Sequence, residues 1–257
     1  MNKQSGFSLI EIMIALSIGV FLLGGIVQIF SASQQTYQMQ RNLARLQENG
    51  RFALNFLVHD IRMAGYWGCL SGTDTDITGE DNNIDVTTVD DKTDTLAIKA
   101  AFEVPPTLSC GNSVTTDPTY SDPSSAIAYK IYTLPNANPA LNIPTLYKKT
   151  NGIWGPLIDG IENMQIFYGV DSDGDGAANY YVSANNVSNM QQVVSVRISL
   201  LVVTLDNYLT TQSIPYTYYV DNVLTNNIMP VPVPPVLVDR KIRRVFNATI
   251  ALRNRLL

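Results

Sequence analysis

MNKQSGFSLIEIMIALSIGVFLLGGIVQIF, residues 1–30, decides the fold. From Phe7 to Phe30 the chain is apolar and interrupted by one acid, Glu11. As a helix this run is about 36 Å long, enough to cross a hydrocarbon core of about 30 Å. Lys3 precedes it and no basic residue follows until Arg41, so the positive-inside tendency puts the short N-terminal end in the cytoplasm and the remainder outside. A conventional secretory signal has an apolar region of about 7–15 residues followed by a small-residue cleavage site. Here the run is longer and the small residue, Gly6, comes before it. A plain anchor leaves Glu11 unexplained, because a carboxylate within a membrane segment costs about 2.5–3.5 kcal/mol on insertion scales.

Outside this segment the chain reads as an ordinary folded protein. It has 257 residues, 46% hydrophobic and 15% charged, with net charge −5 and pI about 4.8. That balance excludes a global basic field for nucleic acid. A single histidine, His59, and two cysteines exclude a classical zinc cluster. His59 has no catalytic partner in sequence and reads as a surface or packing residue. No GxSxG, phosphate-binding loop, HExxH or CxxC is present, so the chain is not read as an enzyme.

Residues 31–64 turn polar but keep helical spacing. Leu43, Leu46, Ala53, Leu54, Leu57, Val58 and Ile61 form an apolar stripe, with Arg45, Glu48, Arg51, Asp60 and Arg62 mostly on the other side. Gly50 interrupts the stripe without ending it, and Gly24-Gly25 is a candidate place for the helix to bend or loosen in a filament. One helix from Phe7 to Met63 would be about 85 Å long.

Beyond residue 70 the period changes to that of strands. Expected strands are Thr95–Phe102, Ala126–Leu134, Thr145–Lys149, Glu162–Gly169, Ala178–Ser183, Val193–Thr204, Pro215–Val220 and Arg244–Leu252. Val193–Thr204 has the continuous apolar character of a central strand. Leu70–Asp94, rich in Asp, Thr, Gly and Asn, reads as a long acidic loop. Met229–Val238 is proline-dense and reads as an extended surface segment.

Gly6-Phe7-Ser8-Leu9-Ile10-Glu11 resembles the class III leader of type IV prepilins and type II secretion pseudopilins. The resemblance implies cleavage between Gly6 and Phe7 by a prepilin peptidase and N-methylation of the new Phe7 amine. It also implies that Glu11, then the fifth residue, meets the N-terminal amine of a neighbouring subunit. The physics agrees: a partner that offers an amine compensates a desolvated carboxylate. Further segments resemble PilW-type minor pilins: LQENGRFALNFLVHDIRMAGYWGC, PLIDGIENMQIFYGVDSDGDG, VVSVRISLLV and VFNATIALRNRLL. Residues 70–145 carry the resemblance only weakly. Many major pilins have a proline in the second half of this helix, whereas here none precedes Pro105.

Three further features point to sites. Cys69 and Cys110 enclose 40 residues; outside the cytoplasm they are expected to form a disulfide, contributing roughly 3–4 kcal/mol by loop closure. Asp171-Ser172-Asp173-Gly174-Asp175-Gly176 matches the first half of an EF-hand calcium loop. The Ala177 carbonyl and Asn179 could add oxygens, but Val182 replaces the final glutamate and the flanks read as strands. This leaves either a calcium-bound hairpin loop completed from elsewhere, for instance by Asp159 or Glu162, or a polar turn. Arg240, Lys241, Arg243, Arg244, Arg253 and Arg255 are six of the 17 basic residues. With few aromatics among them, they suit a structural role or an acidic pilin head better than DNA.

The resulting expectation is an α+β protein with the type IV pilin fold: a long N-terminal α-helix, half membrane and half amphipathic, packed on a β-sheet-rich globular head. Residues 1–6 are the leader, 7–30 the transmembrane or filament-core helix, 31–65 the amphipathic helix and 66–257 the head. The expected function is that of a minor pilin priming a type IV pilus and sitting at its tip. Its partners would be other minor pilins, the major pilin, a prepilin peptidase and a pilus-tip adhesin, with nucleic acid disfavoured. It would sit in the inner membrane of a Gram-negative bacterium, head periplasmic, before entering the extracellular pilus. Calcium is the one cofactor considered. The alternatives are a type II secretion pseudopilin and a membrane-anchored periplasmic binding or adhesive domain.

Overall fold

A computed structural model describes residues 8–65, 77–80, 93–100, 127–133, 143–150, 152–207, 209–210, 219–222, 227–230 and 240–255. The expected disulfide pair Cys69 and Cys110 lies outside these residues, as do Gly6 and Phe7.

Helix α1 runs unbroken from Leu9 to Met63, through Gly24-Gly25. Ser8 stands at its N-cap with Glu11 three residues on, the spacing of a capping box. The Ser8 amide donates to Glu11 Oε2 at 3.4 Å. Within the apolar stretch, the Ser17 hydroxyl donates to the Met13 carbonyl at 2.8 Å, so this polar group is satisfied inside the helix. The chain divides into two compact units between Leu43 and Ala44, and each is described by itself.

In the first unit, every large apolar side chain from Leu9 to Phe30 is exposed. The helix is long and apolar enough to cross a membrane, and none of that stretch is buried.

Among the described residues, the second unit holds the rest of α1 and three antiparallel sheets. Strands β1 (Ile77–Glu80), β2 (Thr95–Ile98), β3 (Ile127–Thr133), β4 (Pro144–Thr150) and β5 (Ile153–Asp159) pair in sequence order. A four-stranded sheet joins β6 (Ile161–Val170), β7 (Tyr180–Val182), β8 (Val193–Val203) and β11 (Arg243–Ala251) in the order β11-β8-β6-β7. Strands β9 (Tyr219–Asn222) and β10 (Asn227–Pro230) form a separate pair. The expected central strand is β8: between β11 and β6, all its residues but Arg197 are buried. Two expectations are corrected. The loop assigned to Leu70–Asp94 contains β1, whose four residues have too little apolar pattern to read alone and gain a partner only in β2. The proline-dense segment beginning at Met229 lends its first two residues to β10. Strand β5 was not expected either: among its residues only Gly155, Leu157 and Ile158 are half-buried, and Pro156 disguises it.

One residue carries the chain from the first sheet to the second. Gly160 separates β5 from β6 at φ 79°, a conformation costly for other residues. Its amide donates to the Pro144 carbonyl (2.7 Å) and its carbonyl accepts from the Val203 amide (2.8 Å). A Cβ there would lie 2.7 Å from the Val203 oxygen. A second stitch comes from Asp94, assigned above to the acidic loop but buried. Its carboxylate accepts the Ile166 amide of β6 at 2.7 Å.

Leu46, Ala53, Leu57 and Ile61 of α1, with Ala64 just beyond it, join the inward residues of both large sheets in one core. Gly50 lies in this stripe because the helix touches β11 there: an added Cβ would meet the Phe246 ring at 2.6 Å. Asp60 overturns the expectation that it lies on the polar face. It is 4% exposed and faces the five-stranded sheet. The Tyr129 hydroxyl donates to its Oδ2, and Lys148 Nζ sits 2.7 Å from the same oxygen. Tyr129 and Lys148 are register partners on β3 and β4. A buried carboxylate is tolerated when it is both paired and hydrogen-bonded.

Removing one partner of such a pair strands the other. Asp60→Ala is expected to cost about 3–5 kcal/mol of unfolding free energy, measured by denaturant titration. Burial, then the charge and hydrogen bond of Asp60, hold the Tyr129 pKa far above its ordinary value. Tyr129 therefore stays protonated when folded while the unfolded chain ionises near about pH 10. Its contribution is complete below that pH and lost above it. Tyr129→Phe should flatten the alkaline fall in melting temperature.

Candidate functional site

Two regions hold the residues singled out in the sequence. The first is the start of α1. Glu11 is exposed there among Ile10, Ile12, Ala15 and Leu16, which are also exposed. Its contact to the Ser8 amide shows that it caps its own helix, a local use that the apolar pattern alone does not reveal.

The second is the loop joining β6 to β7. Asp171, Asp173 and Asp175 place carboxylate oxygens within 4.8 Å of one another. Asp171 is the organiser: its Oδ1 accepts the amides of Asp173 (3.2 Å) and Gly174 (2.7 Å), and its Oδ2 accepts that of Gly176 (2.8 Å). Gly174 and Gly176 both sit at positive φ. The Asp171 amide donates to the Gln192 carbonyl at 2.9 Å, tying the loop to the start of β8. Asn179 closes the far side, its Oδ1 accepting the Ser172 amide (2.7 Å) and its Nδ2 donating to Asp173 Oδ2 (3.2 Å). Asp175 Oδ1 accepts the Ala177 amide at 2.8 Å.

The flanks are strands, as expected, and the loop is not an EF-hand. The suggested supplementary ligands are not brought to it. Glu162 forms two bonds to Arg243, 2.6 Å to Nε and 2.8 Å to Nη2, and Asp159 accepts the Thr145 hydroxyl at 2.9 Å. Position along the chain explains this: Asp159 and Glu162 flank the sheet-to-sheet crossing at the opposite end of β6 from Asp171.

The basic tail does not form one patch either. Arg240 to Arg244 precede or open β11, whereas Arg253 and Arg255 follow it. A nine-residue strand separates the two groups by about 30 Å. Arg243 is taken up by Glu162. His59 is exposed on α1. Sequence reasoning missed the stack of Arg197 on Tyr181, 4.0 Å from guanidinium carbon to ring centroid. The register that sets β7 and β8 on either side of β6 creates it, and no local pattern announces it.

The backbone amides around Asp171, that of Gly176 foremost, hold its carboxyl below the ordinary carboxylate range. Its stabilisation is thus complete above about pH 4 and lost as pH falls through the lowered value. Asp171→Asn should lower the melting temperature at pH 7 and flatten the acid limb of a stability–pH curve.

Residues 128–254 match the family described as Type IV Pilus-assembly protein W, and residues 1–27 match the prokaryotic N-terminal methylation motif. No curated protein matches the chain. Among solved structures, a type IV-like pilin from Thermus thermophilus is similar, at 12% identity and TM-score 0.40 over 83% of this chain and 99% of that one. The two family matches fall on separate stretches, the apolar helix start and the strands from β3 to the end of β11, and together they identify the chain as a type IV pilin-like protein of the PilW family.

Proposed function

We propose that the chain is a minor pilin that primes growth of a type IV pilus and sits at its tip. The observation that carries this reading is Glu11, a lone acid in a helix stretch whose large apolar side chains are all exposed. Such a stretch needs lipid or other apolar helices around it. Either environment desolvates the carboxylate, and the N-terminal amine of a neighbouring subunit compensates it. Before assembly the helix spans the inner membrane of a Gram-negative cell, N-terminus cytoplasmic and head periplasmic. A prepilin peptidase cuts between Gly6 and Phe7 and the Phe7 amine is methylated. The other minor pilins, the major pilin and a tip adhesin are the partners, joined through α1 and through head contacts.

Because Glu11 also caps its helix, the test separates charge from capping. Glu11→Gln keeps an acceptor for the Ser8 amide and loses the charge; Glu11→Val loses both. Both variants should insert and be processed, and both should be depleted from purified pili about tenfold or more, read by immunoblot. Normal incorporation of Glu11→Gln would reduce the residue to a cap and remove the reason for the reading.

We also propose that the β6–β7 loop takes up calcium. Three carboxylates gathered within 4.8 Å repel one another unless a cation joins them, and oxygen-only donors suit calcium. Asp171, Asp173 and Asp175 would supply side-chain oxygens, with the Ala177 carbonyl and Asn179 completing the shell. Millimolar calcium should raise the melting temperature of the full chain in detergent, and the Asp173→Asn/Asp175→Asn double variant should abolish the rise. An unchanged melting temperature in the parent protein assigns the loop to a hydrogen-bonded turn.

A further inference from the structure

The outward side of the five-stranded sheet carries a face that the core does not use. Lys130 Nζ lies 4.4 Å from the Trp154 ring centroid and 5.7 Å from that of Tyr132. The Tyr132 and Tyr147 rings meet at 5.9 Å and 83°, edge to face. Register sets Lys130 opposite Tyr147 and Lys149 opposite Trp154. Both lysines therefore share this side, while Lys148 between them turns inward to Asp60. Tyr132, Ile143 and Trp154 are exposed. In these rows of β3, β4 and β5 the one acid is Asp159, occupied by the Thr145 hydroxyl. The local balance is positive on a chain of net charge −5.

Three features define the occupant. Tyrosine and tryptophan are the residues that carry most energy in protein interfaces, and Lys130 is already ordered over two rings, which lowers the cost of docking. The perpendicular tyrosines and the ammonium over Trp154 leave no run of parallel open rings on which successive bases could stack. Strand β5 is the last in its sheet, but Pro156 deprives that edge of a donor, so contact falls to the side-chain face and not to strand addition.

We propose that this face docks an acidic protein surface, the head of a neighbouring subunit of the same pilus. Carboxylates of that head pair with Lys130 and Lys149, and an apolar side chain seats against Trp154 and Tyr132. Complementary charge selects the neighbour and sets its orientation. The inference rests on the pilin reading above and adds to it where the head makes its contact.

The test replaces Tyr132 by the photo-cross-linker benzoylphenylalanine in the full-length chain, expressed in piliated cells. The expected adduct joins position 132 to another pilin subunit through a peptide bearing Asp or Glu. Lys130→Glu combined with Lys149→Glu should reduce that adduct on the order of tenfold, about 1.4 kcal/mol. The same cross-linker at Asn247, exposed on β11, should give an adduct that this double variant leaves unchanged. Where the charge reversal lowers the amount of folded chain, both lysines are left native, the cross-linker moves to Trp154 and Tyr132→Asp replaces the double variant, with the same loss expected. Adducts only to nucleic acid, to polysaccharide or to a second copy of this chain overturn the proposal. So does the absence of an adduct from chain recovered in pili with methylated Phe7, an outcome that leaves the pilin reading standing. Chain that never enters pili overturns both.

Discussion

The apolar stretch of α1 satisfies its backbone by itself and its side chains not at all. From Glu11 to Phe30 the amides find carbonyls within the helix or its cap, yet from Leu9 on no large side chain finds cover in the chain. An exposed apolar surface of that size is costly in water. The protein is therefore incomplete without lipid or other helices around this segment, and the single acid within it has to be reconciled with whichever surrounds it. Membrane anchoring followed by entry into a pilus meets the same requirement twice with one helix.

The second unit solves a different problem, that of holding two sheets and the C-terminal part of one helix in a single core. Small residues do much of this. Gly50 lets α1 approach Phe246, and Gly160 turns the chain from one sheet to the other within a single residue. Buried acids do the rest. Asp60 binds the helix to β3 and β4 through Tyr129 and Lys148, and Asp94 binds the approach to β2 onto β6. Each carboxylate is expensive to bury alone and becomes specific once its partners are in place, because a shifted register would leave it unpaired.

The same economy of acids shapes the β6–β7 loop. Asp171 is buried and accepts three backbone amides, while Asp173 and Asp175 are the exposed pair of the cluster. Its lowered pKa and the positive-φ glycines are two faces of one arrangement, in which backbone donors converge on a carboxylate. The positive aromatic face of β3–β5 lies on the other sheet, so the second unit is chemically two-sided.

Order along the chain determined the long helix, the apolar anchor with Glu11, the leader motif and the central strand Val193–Val203, because each is written in residues close together whose period or spacing is itself the signal. The acidic turn was legible for the same reason. Tertiary structure alone decided that Asp60 faces inward, that Glu162 and Asp159 serve Arg243 and Thr145 and not the Asp171 loop, and that the basic tail splits into two groups about 30 Å apart. It also decided β1 and β5, which have too little pattern to read and become strands by pairing with β2 and β4. The reason is common to all of these: a charge or a short polar strand takes its meaning from the partner that register brings opposite it, and register is a property of the folded sheet.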